Sequence, residues 1–313
     1  LDDPLAWART SGPSSRRRIL RCPPESSARL LSSTVGHRGW HARVVGARTV
    51  EGMEPQRRTV VRGDVRLSAL VFPGSEPAVV VLHGLAGSAT ELEPTARALR
   101  GRMVILLDQR GHGRSTRRPD DRSRAAFVED VAAVIRAEAT GAVDLVGQSM
   151  GAHTAMLVAA AHPQLVRRLV LLEVDEGSGS PEDRDALGAW LAAWEVPFAD
   201  RAQAADALGG GALARAWAAD LEQTHDGLRP RFDADVMVDV LAHVAVPRWD
   251  EWASVAAPTL VVYADGGMFA EGQKRAFVEH NANARRVDLA HASHDAHLDA
   301  HDAWIEALTT FLA

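Results

Sequence analysis

The sequence has little cysteine, lysine or unbroken apolar length, and each shortage excludes something. Cys22 is its only cysteine, so no disulfide can close within the chain and no thiolate metal cluster can be built. A reducing compartment suits such a chain, and a cytoplasmic location is expected. Lys274 is the single lysine among 35 basic residues. No run of about 18 apolar residues occurs, so no membrane-crossing helix is expected. A basic surplus is missing too. Net charge is −6 and pI about 6.1, which leaves no electrostatic footprint for nucleic acid. What is present is a globular composition, 46% hydrophobic and 24% charged over 313 residues. That length suits one large α/β domain with an insertion, or two smaller domains. Nothing in it sets an oligomeric state.

Residues 1–52 differ from the rest. Ser, Pro, Arg and Gly dominate, no helical or strand period is sustained, and nine arginines face four acids. The segment therefore carries a surplus of five positive charges and leaves about −11 for the remainder. Disorder is the expectation. No apolar stretch follows Arg16-Arg17-Arg18, which argues against an export signal. A basic arm for an acidic partner is a second reading. The favoured one is an extension outside the functional protein, with Met53 as its start.

From Thr59 strands follow. Thr59–Arg62 and Val65–Phe72 suggest a hairpin turning at Gly63-Asp64. Ala78–Leu82 and Met103–Asp108 are continuous apolar runs, as expected of strands buried on both faces of a parallel sheet. Ala125–Glu138 has apolar residues at helical spacing (Phe127, Val131, Val134, Ile135). Strand and helix keep alternating through Arg168–Val174, which argues a doubly wound sheet. Residues 177–255 break the alternation with four helical stretches: Pro181–Trp194, Ala202–Leu208, Leu213–Leu221 and Asp235–Val244. Alternation resumes at Thr259–Tyr263, a helix around Gly272–His280, Arg285–Leu289 and a last helix to Phe311.

The densest chemical signal is Gly147-Gln148-Ser149-Met150-Gly151, between an apolar strand and an Ala-rich helix. So sharp a turn needs small residues on both sides, and a Cβ at Gly147 or Gly151 would crowd the backbone. Ser149 at its apex is exposed above the sheet, and the following helix aims its first N–H groups at the same spot. That suits a nucleophile that must carry a developing oxyanion.

His83-Gly84-Leu85-Ala86-Gly87, then Asp108-Gln109-Arg110-Gly111-His112-Gly113-Arg114-Ser115, then the Ser149 motif come in the order and at the spacings of the α/β-hydrolase superfamily. The chain resembles it over roughly Thr59 to Ala313. The resemblance implies an α/β-hydrolase fold, a mostly parallel doubly wound sheet with an inserted all-helical cap. Residues 53–176 and 256–313 would form the core and 177–255 the cap. A Ser at the apex implies an acyl-enzyme hydrolase acting on an ester, lactone or thioester of an apolar small molecule, without cofactor or metal. Rivals are a C–C bond hydrolase or lyase on the same residues, and a ligand-binding relative without turnover.

A serine hydroxyl needs a base within reach. The family motif after the last strand maps onto His294-Asp295-Ala296-His297-Leu298-Asp299, which makes His294 that base. His294, His297 and His301 also have a spacing that a metal site on a helix could use. The acid that orients the base is open. The family usual position falls on Gly267, in Ala264-Asp265-Gly266-Gly267. Glu173 ends the strand after the nucleophile helix, and a buried carboxylate there needs a partner. Glu173 is therefore favoured, then Asp265, then Asp175. Resemblance places the oxyanion donors at the backbone of Leu85 and Met150. His83 and His112 lie in fold motifs and order loops, with His83 also a candidate for the pocket wall. Trp190, Trp194 and Trp217 are candidates for an apolar pocket roof.

Overall fold

A computed structural model describes residues 54–313; the expectations for residues 1–52, and Met53 as a start, lie outside the described residues. Ten strands and eleven α-helices are named here in chain order. Strands β1 (Gln56–Arg62) and β2 (Val65–Phe72) form the expected hairpin, Arg62 opposite Val65. Next come β3 (Ser75–Leu82), helix α1 (Glu93–Ala98), β4 (Arg102–Asp108), α2 (Arg124–Glu138), β5 (Val143–Gln148), α3 (Met150–Ala161) and β6 (Val166–Leu172). The sheet closes with β9 (Thr259–Gly266), α9 (Glu271–Glu279), β10 (Ala284–Ser293), α10 (Ala296–Asp299) and α11 (His301–Leu312). Strand order is β1-β2-β4-β3-β5-β6-β9-β10, antiparallel at β1/β2 and β2/β4 and parallel elsewhere.

The central strands read as continuous apolar runs because both faces are covered. Along β3, Ala78, Val80 and Leu82 join one buried layer while Val79 and Val81 join the other. In β4 the same period-two split separates Ile105 and Leu107 from Val104 and Leu106. The first layer packs on α2 through Val131, Val134 and Ile135 and on α3 through Ala152, Ala155 and Met156. The second packs on Ala96 of α1 and on Trp304, Leu308 and Leu312 of α11. Asp144, a buried charge inside β5, is held by Arg102 at 2.7 Å and by Arg167.

Between β6 and β9 lie α4 (Pro181–Ala192), α5 (Arg201–Ala207), α6 (Ala212–Asp220), the hairpin β7 (Glu222–Thr224) and β8 (Gly227–Arg229), α7 (Ala234–Val244) and α8 (Trp249–Ser254). Helix α4 starts on a capping box, with Asp183 N–H donating to Ser180 Oγ and Ser180 N–H to Asp183. The sequence suggested four helices here and missed the hairpin and α8. Three polar residues per strand carry no alternation to read, and the six residues of α8 are too short for a period. Strand β10 also runs further than Arg285–Leu289. A bulge between Leu289 and Ser293 keeps it paired to Gly266, so the segment read as a loop is strand to its last residue before His294.

Candidate active site

The turn from β5 into α3 is as tight as its glycines suggest. A Cβ at Gly147 would collide with the backbone of Gly151 and Ala152, and one at Gly151 with the carbonyls of Leu82 and His83. Ser149 N–H donates to Leu172 O of the neighbouring strand at 2.9 Å, and Ser149 itself takes φ 51°. Its hydroxyl does not cap α3. Among the described residues, four non-glycines adopt positive φ: Ala86, Ser149, Glu173 and His291. They follow β3, β5 and β6 or sit in the β10 bulge, so backbone strain gathers at one edge of the sheet, where the surrounding structure can hold it.

Glu173 follows β6 and is buried. Its N–H donates to Val262 O at 2.9 Å, and its carboxylate accepts from Ala264 N–H at 2.8 Å and Met268 N–H at 2.9 Å. His294 Nδ1 lies 3.3 Å from the same carboxylate. The position that lacks an acid explains the space: a Cβ at Gly267 would collide with both Glu173 oxygens. Glu173 thus places its carboxylate where a side chain from residue 267 would begin. Asp265 is exposed and faces elsewhere. Its carboxylate accepts from His291 N–H at 2.9 Å and Ala292 N–H at 3.1 Å, holding the β10 bulge. Asp175 accepts from Gly177 N–H, Ser178 N–H and the Ser178 hydroxyl.

Ser149, Glu173 and His294 line one cavity of about 340 Å³, together with Leu85 and Met150. Met150 N–H belongs to the first turn of α3, where no intrahelical acceptor exists. No hydrogen bond joins Ser149 Oγ to His294 among the described residues; such bonds are often long before substrate arrives and tighten in the complex. Gln148 Nε2 donates to His294 O at 3.2 Å and ties the base segment to the nucleophile turn.

Trp190 and Trp217 line the cavity. Trp194 does not. It packs edge-on against Trp190 at 5.1 Å and against Phe232 at 5.7 Å, on the far side of the cluster. His83 is also absent from the cavity wall. It is fully buried, its Nε2 accepting from Gln109 N–H at 3.1 Å and its Nδ1 donating to Gly84 O at 2.7 Å. Its part is to order loops, as is that of His112, whose ring lies 5.1 Å away. His297 pairs with Glu91 at 2.9 Å and His301 Nδ1 with His297 O at 3.0 Å, so the three histidines do not converge. The sequence reading missed His153, Arg184 and Gln148 in the cavity wall. The one signal available was that His153 stands four residues past Ser149, on the same helical face.

Electrostatics set the protonation of the pair. Burial opposes a charged His294, but the hydrogen bond to Glu173 and the charges of Asp295 and Glu173 outweigh it, and its pKa is raised. Burial likewise opposes a charged Glu173; His294 and the N–H groups of Ala264 and Met268 prevail, and its pKa is lowered. Burial raises that of Asp295 against the pull of His294 and His297.

This fold and this strained serine turn define a class. A family model described as the alpha/beta hydrolase fold matches residues 77–301, and the chain belongs to that family. It is 28% identical over 260 residues to the sn-1-specific diacylglycerol lipase ABHD11 of Mus musculus, covering 76% of this chain and 81% of that one. It is 33% identical over 136 residues to the 2-(acetamidomethylene)succinate hydrolase of Mesorhizobium japonicum, a match spanning 38% of this chain and 49% of that protein. The crystal structure of E-2-(acetamidomethylene)succinate hydrolase superposes with a TM-score of 0.76 at 26% identity, over 83% of this chain and 99% of the other.

Proposed function

We propose that this protein is a serine hydrolase that cleaves a small ester, lactone or thioester through an acyl-enzyme on Ser149. The observation that carries the reading is Glu173: its carboxylate occupies the gap at Gly267 and holds the His294 imidazole at the wall of the cavity that Ser149 enters. His294 takes the Ser149 proton as Oγ attacks the substrate carbonyl. The N–H groups of Leu85 and Met150 receive the oxyanion, each worth about 3 kcal/mol of transition-state stabilisation. His294 then gives the proton to the leaving group, and water attacks the acyl-enzyme by the reverse route. The helical segment 177–255 acts as a cap, with Trp190 and Trp217 as its apolar roof. The relative named as a diacylglycerol lipase supports an ester, the acetamido compound in the other relative's name carries its acyl group on nitrogen, and together they leave the substrate open. The cavity sits at the small end of the roughly 300–1,000 Å³ of small-molecule sites, which favours a compact substrate. The single cysteine favours the cytoplasm as its setting.

The test is mass spectrometry after exposure to a fluorophosphonate. One adduct on Ser149, absent in His294→Ala, is expected. No adduct, together with no Ser149-dependent cleavage of p-nitrophenyl esters, would overturn the reading and favour a ligand-binding protein.

A further inference from the structure

The cavity wall carries a buried histidine and an arginine that form no ion pair among the described residues. His153 lies one helical turn beyond Ser149 on α3, is 2% exposed and lines the cavity. Neither of its ring nitrogens makes a well-formed hydrogen bond among the described residues, the Glu176 backbone giving only a weak contact. Burial, then the charges of Arg124 and Arg248, hold its pKa well below the ordinary value, against a weaker pull from the Glu176 backbone. The ring is therefore neutral and offers one N–H donor.

Arg124, whose charge acts on that ring, is 3% exposed. Its Nη2 donates to Thr154 Oγ1 and lies 3.5 Å from Met150 O, while Nε and Nη1 are unpartnered. No carboxylate pairs with it among the described residues. Burial and then Arg248 push its pKa down to about 9. Arg124 is not in the cavity wall. Arg184 of α4 is, half-buried, and it has no ion-pair partner among the described residues. Of the acids in the same wall, Asp183 accepts from Ser180 N–H, Asp175 accepts from Ser178 and Gly177, Glu91 pairs with His297, Glu173 pairs with His294, and burial raises the pKa of Asp295. A buried polar ring without a partner is costly, and a ligand that accepts its N–H removes that cost.

We propose that His153 and Arg184 form a carboxylate subsite in the cavity wall, and that the preferred esters carry a carboxylate received by Arg184 and the His153 N–H. The inference rests on Ser149 as the nucleophile. Helical residues four apart hold their Cβ atoms about 5–6 Å from each other, which sets a spacer of about two to four atoms between scissile carbonyl and carboxylate. Asp175 and Asp183 in the same wall disfavour a dianion, so a carboxylate fits better than a phosphate.

Monoethyl glutarate and ethyl pentanoate share chain length and differ in the terminal charge. Following acid release at constant pH, the wild type should prefer the half-ester by about ten- to hundredfold in kcat/KM, the worth of a charge-assisted hydrogen bond. In Arg184→Gln the ratio should fall towards one, mainly through KM. Calorimetry on Ser149→Ala reads the subsite without turnover: monoethyl glutarate should bind more tightly than ethyl pentanoate, and adding Arg184→Gln or His153→Phe should remove the difference. If His153→Phe does not fold, the Arg184 variant decides. Hydrolysis of ethyl pentanoate with no preference for the half-ester would overturn the subsite and leave the hydrolase reading standing. If neither ester is cleaved, the hydrolase reading is in trouble and calorimetry still decides: equal binding, or none, overturns the subsite.

Discussion

The strand core and the helical segment between β6 and β9 are held by different forces. Core strands bury both faces, and the layers on either side consist of apolar residues with almost no exposure. In the helical segment, α4 buries only Leu187 and Leu191, and α5 only Ala204. One apolar cluster, Phe232, Val236, Met237 and Val240 with Ala86, Phe127 and Met150, joins it to the core, and a seam of charge adds to that. Arg114, Arg117, Arg118 and Arg122, on the loop before α2, pair with Asp220, Glu222, Asp233, Asp235 and Asp239. Most of these groups are partly exposed, and such pairs contribute about 0–1 kcal/mol each. The difference separates two tasks. Ser149, Glu173 and His294 each directly follow a strand of the sheet, whereas Trp190, Arg184 and Trp217 of the cavity wall stand on helices that bury few residues.

The sharpest break of this contrast is at Ser149. Ser149→Ala should lower kcat by about four to six orders of magnitude while the melting temperature holds, because only the reacting atom is lost. A rate near wild type would move the chemistry off the strand ends. Next in size is the acid. Glu173→Ala should cost about three to four orders in kcat/KM, and Asp265→Ala far less. Glu173→Ala combined with Gly267→Asp should recover part of the loss, since both side chains reach one place from two strands. An equal loss for Asp265→Ala, measured in the same assay, would reassign the acid.

The pH profile sharpens the same point. The base must be neutral to work, and the His294 pKa is raised. The acid limb of kcat/KM should therefore lie above the usual imidazole value of about 6.5, with activity lost as pH falls through it. In Glu173→Gln the raising partner is weakened while burial still lowers the pKa, so the limb should move to lower pH on a smaller maximum. A limb that stays in place would mean that Glu173 does not set the base.

Two smaller effects separate the regions by stability. Trp304 of α11 is buried in the core layer and donates Nε1–H to Thr95 Oγ1 at 3.2 Å. Trp304→Ala should cost about 3–5 kcal/mol in denaturant unfolding. Arg118→Ala, in the charged seam, should leave denaturant unfolding almost unchanged and act instead on KM, with the effect shrinking as salt rises. A large loss of stability from Arg118→Ala would show that the segment and the core unfold as one unit.

Local constraints were legible in the sequence. The alternating elements, the two-faced burial of β3 and β4, and the need for small residues around Ser149 each depend on neighbours along the chain. His294 was legible through its place after the last strand. The proposed acid was only half legible, because Glu173 and Gly267 follow different strands and their exchange shows once those strands lie side by side. Trp194 and His83 looked like pocket residues in one dimension. One turns into an aromatic cluster and the other into a buried hydrogen-bond network.

The sequence by itself determined the hydrolase fold and the serine turn, since backbone crowding and strand period act over a few residues, and the family motif pointed to His294 as the proposed base. Tertiary structure alone decided that Glu173 fills the space beside Gly267 and that His153, Arg124 and Arg184 stand without acids. Those outcomes depend on distances between elements far apart in the chain, and charge and hydrogen bonding act through space.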